Sequence, residues 1–311
     1  KGLVKIEDAN VTVKNTIPGQ RIRFYIKKKR KGKAEGQLQE ILEHSPLESR
    51  PPACSIFPAC GGCVYQTMPY EAQLNMKENQ VKEMLDAVIK GEYEFQGIRR
   101  SPEEFGYRNK MEFSFGDAEK DGPLTLGLHR KGSWHDVLTA GDCRLVHKDM
   151  TDILNCTLEY FTENNVGYYH KMRQIGYLRH LLIRRGSATG EILVNLVTTT
   201  QEQHNLSAWA ERLLALPLEG KITGILHILN DSISDVVQSD NMQLLYGKDY
   251  FYEQLLGLTF KITPFSFFQP NSKAAEILYG LVREYLGDAQ GMTVYDLYSG
   301  TGTIAQMTAA V

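Results

Sequence analysis

Residues 292–310, MTVYDLYSGTGTIAQMTAA, decide the fold class. MTVYDL reads as a strand ending near Asp296, Gly300 and Gly302 supply a turn, and TIAQMTAA begins a helix. A strand, a glycine turn and a helix in that order open a doubly wound α/β sheet, whose turn approaches a bound nucleoside. Glycine at these two positions removes the side chains that would collide with such a ligand. Dinucleotide binding would demand a further glycine at a spacing this segment lacks. The pattern D-x-Y-S-G-T-G fits the S-adenosylmethionine type better, with a plain strand-to-helix turn as the alternative. Asp296 would then hydrogen-bond ligand amines or hold the turn.

Just upstream, TPFSFFQPNS (263–272) sets an amide among aromatics and precedes an amphipathic helix, NSKAAEILYGLVREYLGD. Asn271 or Ser272 is expected to cap that helix. Gln269 is either a ligand contact in an apolar pocket or, more plainly, a buried amide tying down a loop.

The five cysteines are Cys54, Cys60, Cys63, Cys143 and Cys156. An odd count without a secretory signal argues against a disulfide framework and towards a metal or catalysis. CSIFPACGGC (54–63) holds three of them, with Gly61 and Gly62 letting the backbone fold around a ligand. Cys143, in GDCRLVH, suits a distant fourth ligand, whereas Cys156 lies on a helical apolar face and reads as a core residue. Four thiolates can hold zinc or an iron–sulfur cluster. A zinc ribbon usually has two C-x2-C pairs and this chain has one, so the spacing leans to iron–sulfur. A set of thiols without metal stays open.

A hydrophobic content of 42% and a charged content of 23% fit an ordinary soluble protein. No apolar run reaches membrane-spanning length, so the expectation is a cytoplasmic protein with no membrane partner. Oligomeric state leaves no mark, and a monomer is the default. The net charge of −2 does not mark the whole chain as a nucleic-acid binder. Charge is nonetheless concentrated at Lys27, Lys28, Lys29, Arg30, Lys31 and Lys33, which is either a phosphate-binding arm or a solvated loop. Arg108 and Lys110, beside Tyr107 in GYRNKMEFSF, could likewise meet RNA by charge and stacking, or line a solvated strand entrance.

With 311 residues the chain is too long for one core. It reads as a multidomain α+β and α/β protein. Residues 1–49 form short alternating strands, suggesting a small β-barrel of the oligonucleotide-binding kind, its first strand expected to be missing. Residues 50–69 are the cysteine segment. Residues 70–262 mix helical periodicity, as at Leu74, Val81, Leu85 and Val88, with strands and a hairpin turning at 186–190, an α+β central domain. Residues 263–311 begin a Rossmann-like α/β domain of the S-adenosylmethionine-binding type, expected to be incomplete as it stands.

Taken together, CSIFPACGGC with the following YEAQLNMKENQ, then GYRNK, LGLHRKGSWHDV, GDCRLV, FFQPN and DLYSGTGTIA, resemble the RNA uracil-5-methyltransferase family, in its iron–sulfur branch. The resemblance covers almost the whole chain. It implies that residues 1–49 are an RNA-binding TRAM domain in which Lys28, Lys29 and Arg30 meet RNA together with Arg108 and Lys110. It implies a [4Fe–4S] cluster on Cys54, Cys60, Cys63 and Cys143. It implies S-adenosylmethionine contacts at Gln269, Tyr298, Gly300 and Thr303, although the family often has asparagine where Thr303 stands. The implied reaction adds a cysteine thiolate to carbon 6 of a uracil, methylates carbon 5 and removes its proton with a carboxylate. The target is expected to be 23S ribosomal RNA, with transfer RNA as the alternative. The nucleophilic cysteine and the general base are expected beyond Val311, so the chain as it stands is expected to be inactive in methyl transfer. A non-catalytic cluster-bearing RNA-binding module is the competing reading.

Overall fold

The computed structural model describes residues 2–6, 9–30, 33–233 and 241–309; Lys31 of the basic run and Val311 lie outside them. The chain divides into two compact units, Lys1–Arg100 and Ser101–Val311. The cysteine segment and the helix after it therefore belong to the first unit. Among the described residues no helix is long and apolar enough to cross a membrane.

The first unit opens with β1 (Gly2–Ile6), β2 (Ala9–Val13), β3 (Arg21–Arg30) and β4 (Lys33–Glu43). They form one four-stranded sheet in the order β1-β2-β4-β3. The alternation across residues 4–13 reads as one strand, but β1 and β2 are two strands paired antiparallel, with Ile6 opposite Ala9. Val11, Val13 and Ala34 make its small core, with Val4, Ile22, Phe24 and Leu38 packed against it. The expected barrel is not closed: no ladder joins β1 to β3 among the described residues. Among the described residues both strands keep a free edge.

Beyond the sheet, Glu48 gathers the chain. It accepts from Gln20 Nε2 (2.8 Å), the Ser45 N–H (2.9 Å) and Thr67 Oγ1 (3.2 Å). Burial would raise its pKa, but these bonds and His44 outweigh burial and lower it. The Pro-rich stretch thus joins the sheet to the cysteine loop through one carboxylate. Helix α1 (Tyr70–Val88) follows. Only Leu74 of its apolar stripe is buried, while Val81 and Val88 stay exposed.

The second unit is built on a seven-stranded sheet. Its strands are β5 (Lys110–Asp117), β6 (Leu124–His129), β7 (Val137–Thr139), β8 (Leu178–Arg185), β9 (Glu191–Thr198), β10 (Lys221–Leu229) and β11 (Asn241–Gly247). Their order is β11-β10-β9-β8-β5-β6-β7. Only β9 and β10 are parallel, and the crossover between them carries α3 (Ser207–Leu214). The hairpin of β8 and β9 turns through 186–190 as the glycines require.

Alternation divides the sheet's two faces. One face takes α2 (Lys148–Glu163), where Phe115, Phe161 and Trp209 meet ring to ring at 5.9 and 6.0 Å. The other face is apolar on β9 and β10. There Leu193, Val197, Leu226 and Ile228 pack under the hairpin of β12 (Phe251–Leu255) and β13 (Leu258–Ile262), with Phe268, Ala275 and Tyr279. Ala275 and Tyr279 come from α4 (Ser272–Leu286), whose N-cap is Asn271, accepting from the Ala274 N–H at 3.0 Å.

The doubly wound opening is corrected in one part. Short helix α5 (Thr303–Thr308) forms, but residues 292–297 make no strand. Tyr295 and Leu297 stand 80% and 77% exposed. A strand is held by ladder bonds to neighbours, and the described residues offer 292–297 none.

Asp149, in the first turn of α2 and 1% exposed, anchors the fold's polar side. Arg185 Nε (2.9 Å), the Glu219 N–H (2.9 Å) and the Gly220 N–H (3.0 Å) donate to it. Burial would raise its pKa; these donors and His147 outweigh burial and hold it below the ordinary 3.8. The carboxylate therefore stabilises the fold above that ordinary value and loses its contribution as pH falls through the lowered native pKa. Asp149→Asn should cost about 3 kcal/mol at pH 7 by leaving Arg185 without its anion. Denaturant midpoints measured against pH should show that gap shrinking below pH 3.8. An equal gap in acid would refute the assignment.

Candidate functional site

The site grows from Arg184, on β8 facing Lys110 of β5 in the ladder. Its side chain is 1% exposed, and burial of its charge pulls its pKa down to about 10. A guanidinium that deep needs acceptors, and its Nη1 finds three carbonyls: Thr263 (2.5 Å), Pro264 (3.1 Å) and Ser266 (2.8 Å). Those carbonyls belong to TPFSFFQPN, so the sheet grips the loop just before Gln269.

A second grip comes from Asn109. Its N–H donates to the Pro270 carbonyl (2.8 Å) and its Nδ2 to the Gln269 carbonyl (2.8 Å) and to Ser272 Oγ (2.8 Å). Ser272 Oγ donates in turn to Glu253 Oε2 (2.8 Å). Glu253 is fully buried and also accepts the N–H groups of Ser187 and Ala188 in the β8–β9 turn. One buried polar chain therefore runs from β5 through the cap of α4 to the hairpin turn.

Held this way, the loop brings the predicted ligand residues into one neighbourhood. The Gln269 side chain hydrogen-bonds Tyr279, whose pKa is raised first by burial and further by nearby Asp296. Phe267, 66% exposed, lies beside Gly300, where an added Cβ would come within 3.9 Å of its ring. Asp296 holds the turn: its Oδ2 accepts the Ala305 N–H at 3.1 Å.

Between them the backbone takes an unusual path. Tyr298, Gly300 and Gly302 all have left-handed φ, at 63°, 57° and 68°. The glycines adopt it freely, but a tyrosine there is strained, and Tyr298 is also fully exposed. Thr303, expected as a further contact, is buried, and its Oγ1 lies 2.8 Å from Thr301 Oγ1.

The predicted RNA residues fall in two places. Lys28, Lys29 and Arg30 are exposed at the end of β3 in the first unit. Arg108 and Lys110 flank Asn109 in the second. Lys110 has its pKa lowered first by burial and then by Arg184, with Arg108 adding and Glu112 opposing. The Nε atoms of Arg108 and Arg184 are buried without a hydrogen-bond partner. Three cations crowded against one carboxylate are chemistry suited to an anion.

Cys54, Cys60 and Cys63 belong to the first unit and Cys143 to the second, and no cysteine is in a disulfide. Thiols in the loop are answered by local donors: Gln66 Nε2 donates to Cys54 Sγ and the Gly62 N–H to Cys60 Sγ, both at 3.3 Å. Such bonds suit thiolates, yet among the described residues no three Cys, His, Asp or Glu side chains are gathered to hold a metal. The described arrangement gives the expected cluster no support. Cys156 is buried in α2 and burial raises its pKa, which leaves it a core thiol.

No protein-family model matches the chain. A protein of Clostridium tetani named uncharacterized RNA methyltransferase is 47% identical over 310 residues, covering 99% of this chain and 67% of its own. Another of that name from Caldanaerobacter subterraneus is 45% identical, covering 97% and 67%. A third, from Bacteroides thetaiotaomicron, is 33% identical, covering 98% and 70%. The chain thus spans about two thirds of the length of these relatives. Among solved structures, the Pyrococcus abyssi tRNA (uracil-54, C5)-methyltransferase in complex with S-adenosyl-L-homocysteine matches with a TM-score of 0.71 at 24% identity, over 98% of this chain and 67% of that one.

Ser272→Ala should test the polar chain. It leaves Asn109 Nδ2 and Glu253 Oε2 each short of a buried partner, at a cost of about 1–3 kcal/mol. A denaturant midpoint equal to the parent's would show that Ser272 does not couple them.

Proposed function

This chain belongs to the RNA methyltransferase family, and we propose that it serves transfer of a methyl group from S-adenosylmethionine to carbon 5 of a uridine in RNA. The observation that carries the reading is the gathering of Gln269, Tyr279, Asp296 and the left-handed turn 298–302 under the grip of Arg184 and Asn109.

When bound, S-adenosylmethionine supplies a methyl group on an electrophilic sulfonium. The chain's own residues bind and orient. Gln269 offers an amide already positioned by Tyr279, and Tyr298 presents a ring that the described chain leaves uncovered. Gly300 keeps the backbone open beside Phe267. Thr303 supports the turn from within. Arg108, Lys110 and Arg184 supply positive charge for a backbone phosphate close to the reacting base. Cys156, a buried thiol, does not act as the nucleophile.

The four-stranded sheet of the first unit is, in this reading, a TRAM-like RNA-binding element. Lys28, Lys29 and Arg30 neutralise phosphates there. Ribosomal RNA is the proposed substrate and transfer RNA the second reading, supported by the likeness to the Pyrococcus abyssi enzyme. The cluster expected on Cys54, Cys60, Cys63 and Cys143 enters no step.

A methyl-transfer assay of the full-length protein tests this, with unmodified ribosomal and transfer RNA side by side and nucleoside analysis of the product. The expected product is 5-methyluridine from one of them. Gln269→Ala should raise KM for S-adenosylmethionine roughly tenfold, the worth of one hydrogen bond near a charged ligand. Methylation at another base, or none in either RNA, would sink the reading.

A further inference from the structure

A separate cavity of about 360 Å³ opens at the far end of β5. β5 runs from Lys110 to Asp117, so this end lies about 23 Å along the strand from the Lys110 site, at ~3.3 Å per residue. The lining comes from the end of β5, the loop between β6 and β7, and residues 168–172.

Its chemistry is aromatic and basic. Trp134 stands 83% exposed on the lining, whereas the chain's other tryptophan, Trp209, is wholly buried. Tyr168 and His170 stack with ring centroids 6.2 Å apart and planes 25° from parallel. Lys120 and Lys171 bring positive charge. The two carboxylates present are already engaged: Asp117 accepts from Tyr168 Oη at 2.9 Å, and Asp136 pairs with Arg130 at 3.2 Å. Histidines also line the cavity, yet among the described residues no three ligands are gathered for a metal.

An exposed indole beside stacked flat rings, with two lysines on the same lining, matches one kind of ligand. A nucleobase has two apolar faces for the rings and a phosphate for the lysines. The volume is that of a small-ligand site. We propose that this cavity is a second RNA site. It seats one unstacked nucleobase against Trp134 and the Tyr168–His170 stack, with its phosphate at Lys120 and Lys171.

The inference rests on the RNA reading and goes beyond it. The second site would fix which nucleotide near the target is held, and so contribute to choice of target.

The experiment titrates the full chain with a fluorescently labelled single-stranded RNA dodecamer of mixed sequence, following label anisotropy and tryptophan emission together. Binding should quench the emission of the exposed indole. Trp134→Ala should weaken binding by about 5- to 150-fold, the range for loss of one stacked base. Its slope of log affinity against log salt should match the parent's, because no phosphate contact is lost. Trp134→Phe should restore most of the affinity. Lys120→Ala with Lys171→Ala should lower that slope. RNA binding without quenching, or with Trp134→Ala equal to the parent, would overturn the second site and leave the RNA reading standing. Absence of RNA binding would overturn both.

Discussion

The guanidinium of Arg184 is the constraint on which the second unit's site depends. A charge buried to 1% exposure is tolerable only where acceptors replace its water. Those acceptors are backbone carbonyls of a single loop, 263–266. A side-chain acceptor could be replaced by another rotamer, whereas three carbonyls fix the path of the backbone itself. The position of Gln269 thereby follows from a strand more than eighty residues earlier in the chain. Asn109 adds a second, charge-neutral grip on the next residues and passes it through Ser272 to Glu253.

This arrangement explains why the sheet has an unlike pair of faces. Against α2 the residues are apolar and interlocked, as Phe115, Phe161 and Trp209 show. On the opposite face β9 and β10 are apolar, under the hairpin of β12 and β13, but β5 and β8 carry Lys110, Glu112, Ser114, His180 and Arg184. Charged groups kept on a sheet face are costly unless water, partners or a ligand meet them. The loop that carries Gln269 and the cations Arg108, Lys110 and Arg184 lie at one end of this polar strip. The sheet is thus the scaffold for function as well as the core of the unit.

Much of the local structure was legible in the chain. The hairpin of residues 178–198 declares itself by two apolar runs around Gly186 and Gly190, and the cap and amphipathic pattern of α4 do the same. Local chemistry settles such elements. What depends on distant partners was not legible. Residues 292–297 have a strand's composition but no ladder to join among the described residues. Leu74, Val81 and Val88 share a helical stripe, yet only Leu74 finds a covering surface. Asn109, between two residues read as RNA contacts, looked like part of a polar strand entrance; its partners lie some 160 residues away. Nothing in the hairpin's sequence pattern marks Arg184. The cysteine spacing reads as a metal site, and the amide donors that meet Cys54 and Cys60 could not be read from it. The position of Gln269 could be read from its aromatic setting, but its bond to Tyr279 could not.

The central claim is that Arg184 holds the Gln269 loop in place. Amide hydrogen exchange across residues 263–271, compared between the parent and Arg184→Met, tests it most directly. Met preserves the buried apolar stem and removes the donors. The account predicts much faster exchange in that loop, with protection of β8 and β9 unchanged. Equal protection of the loop in both proteins would show that it is held by something else.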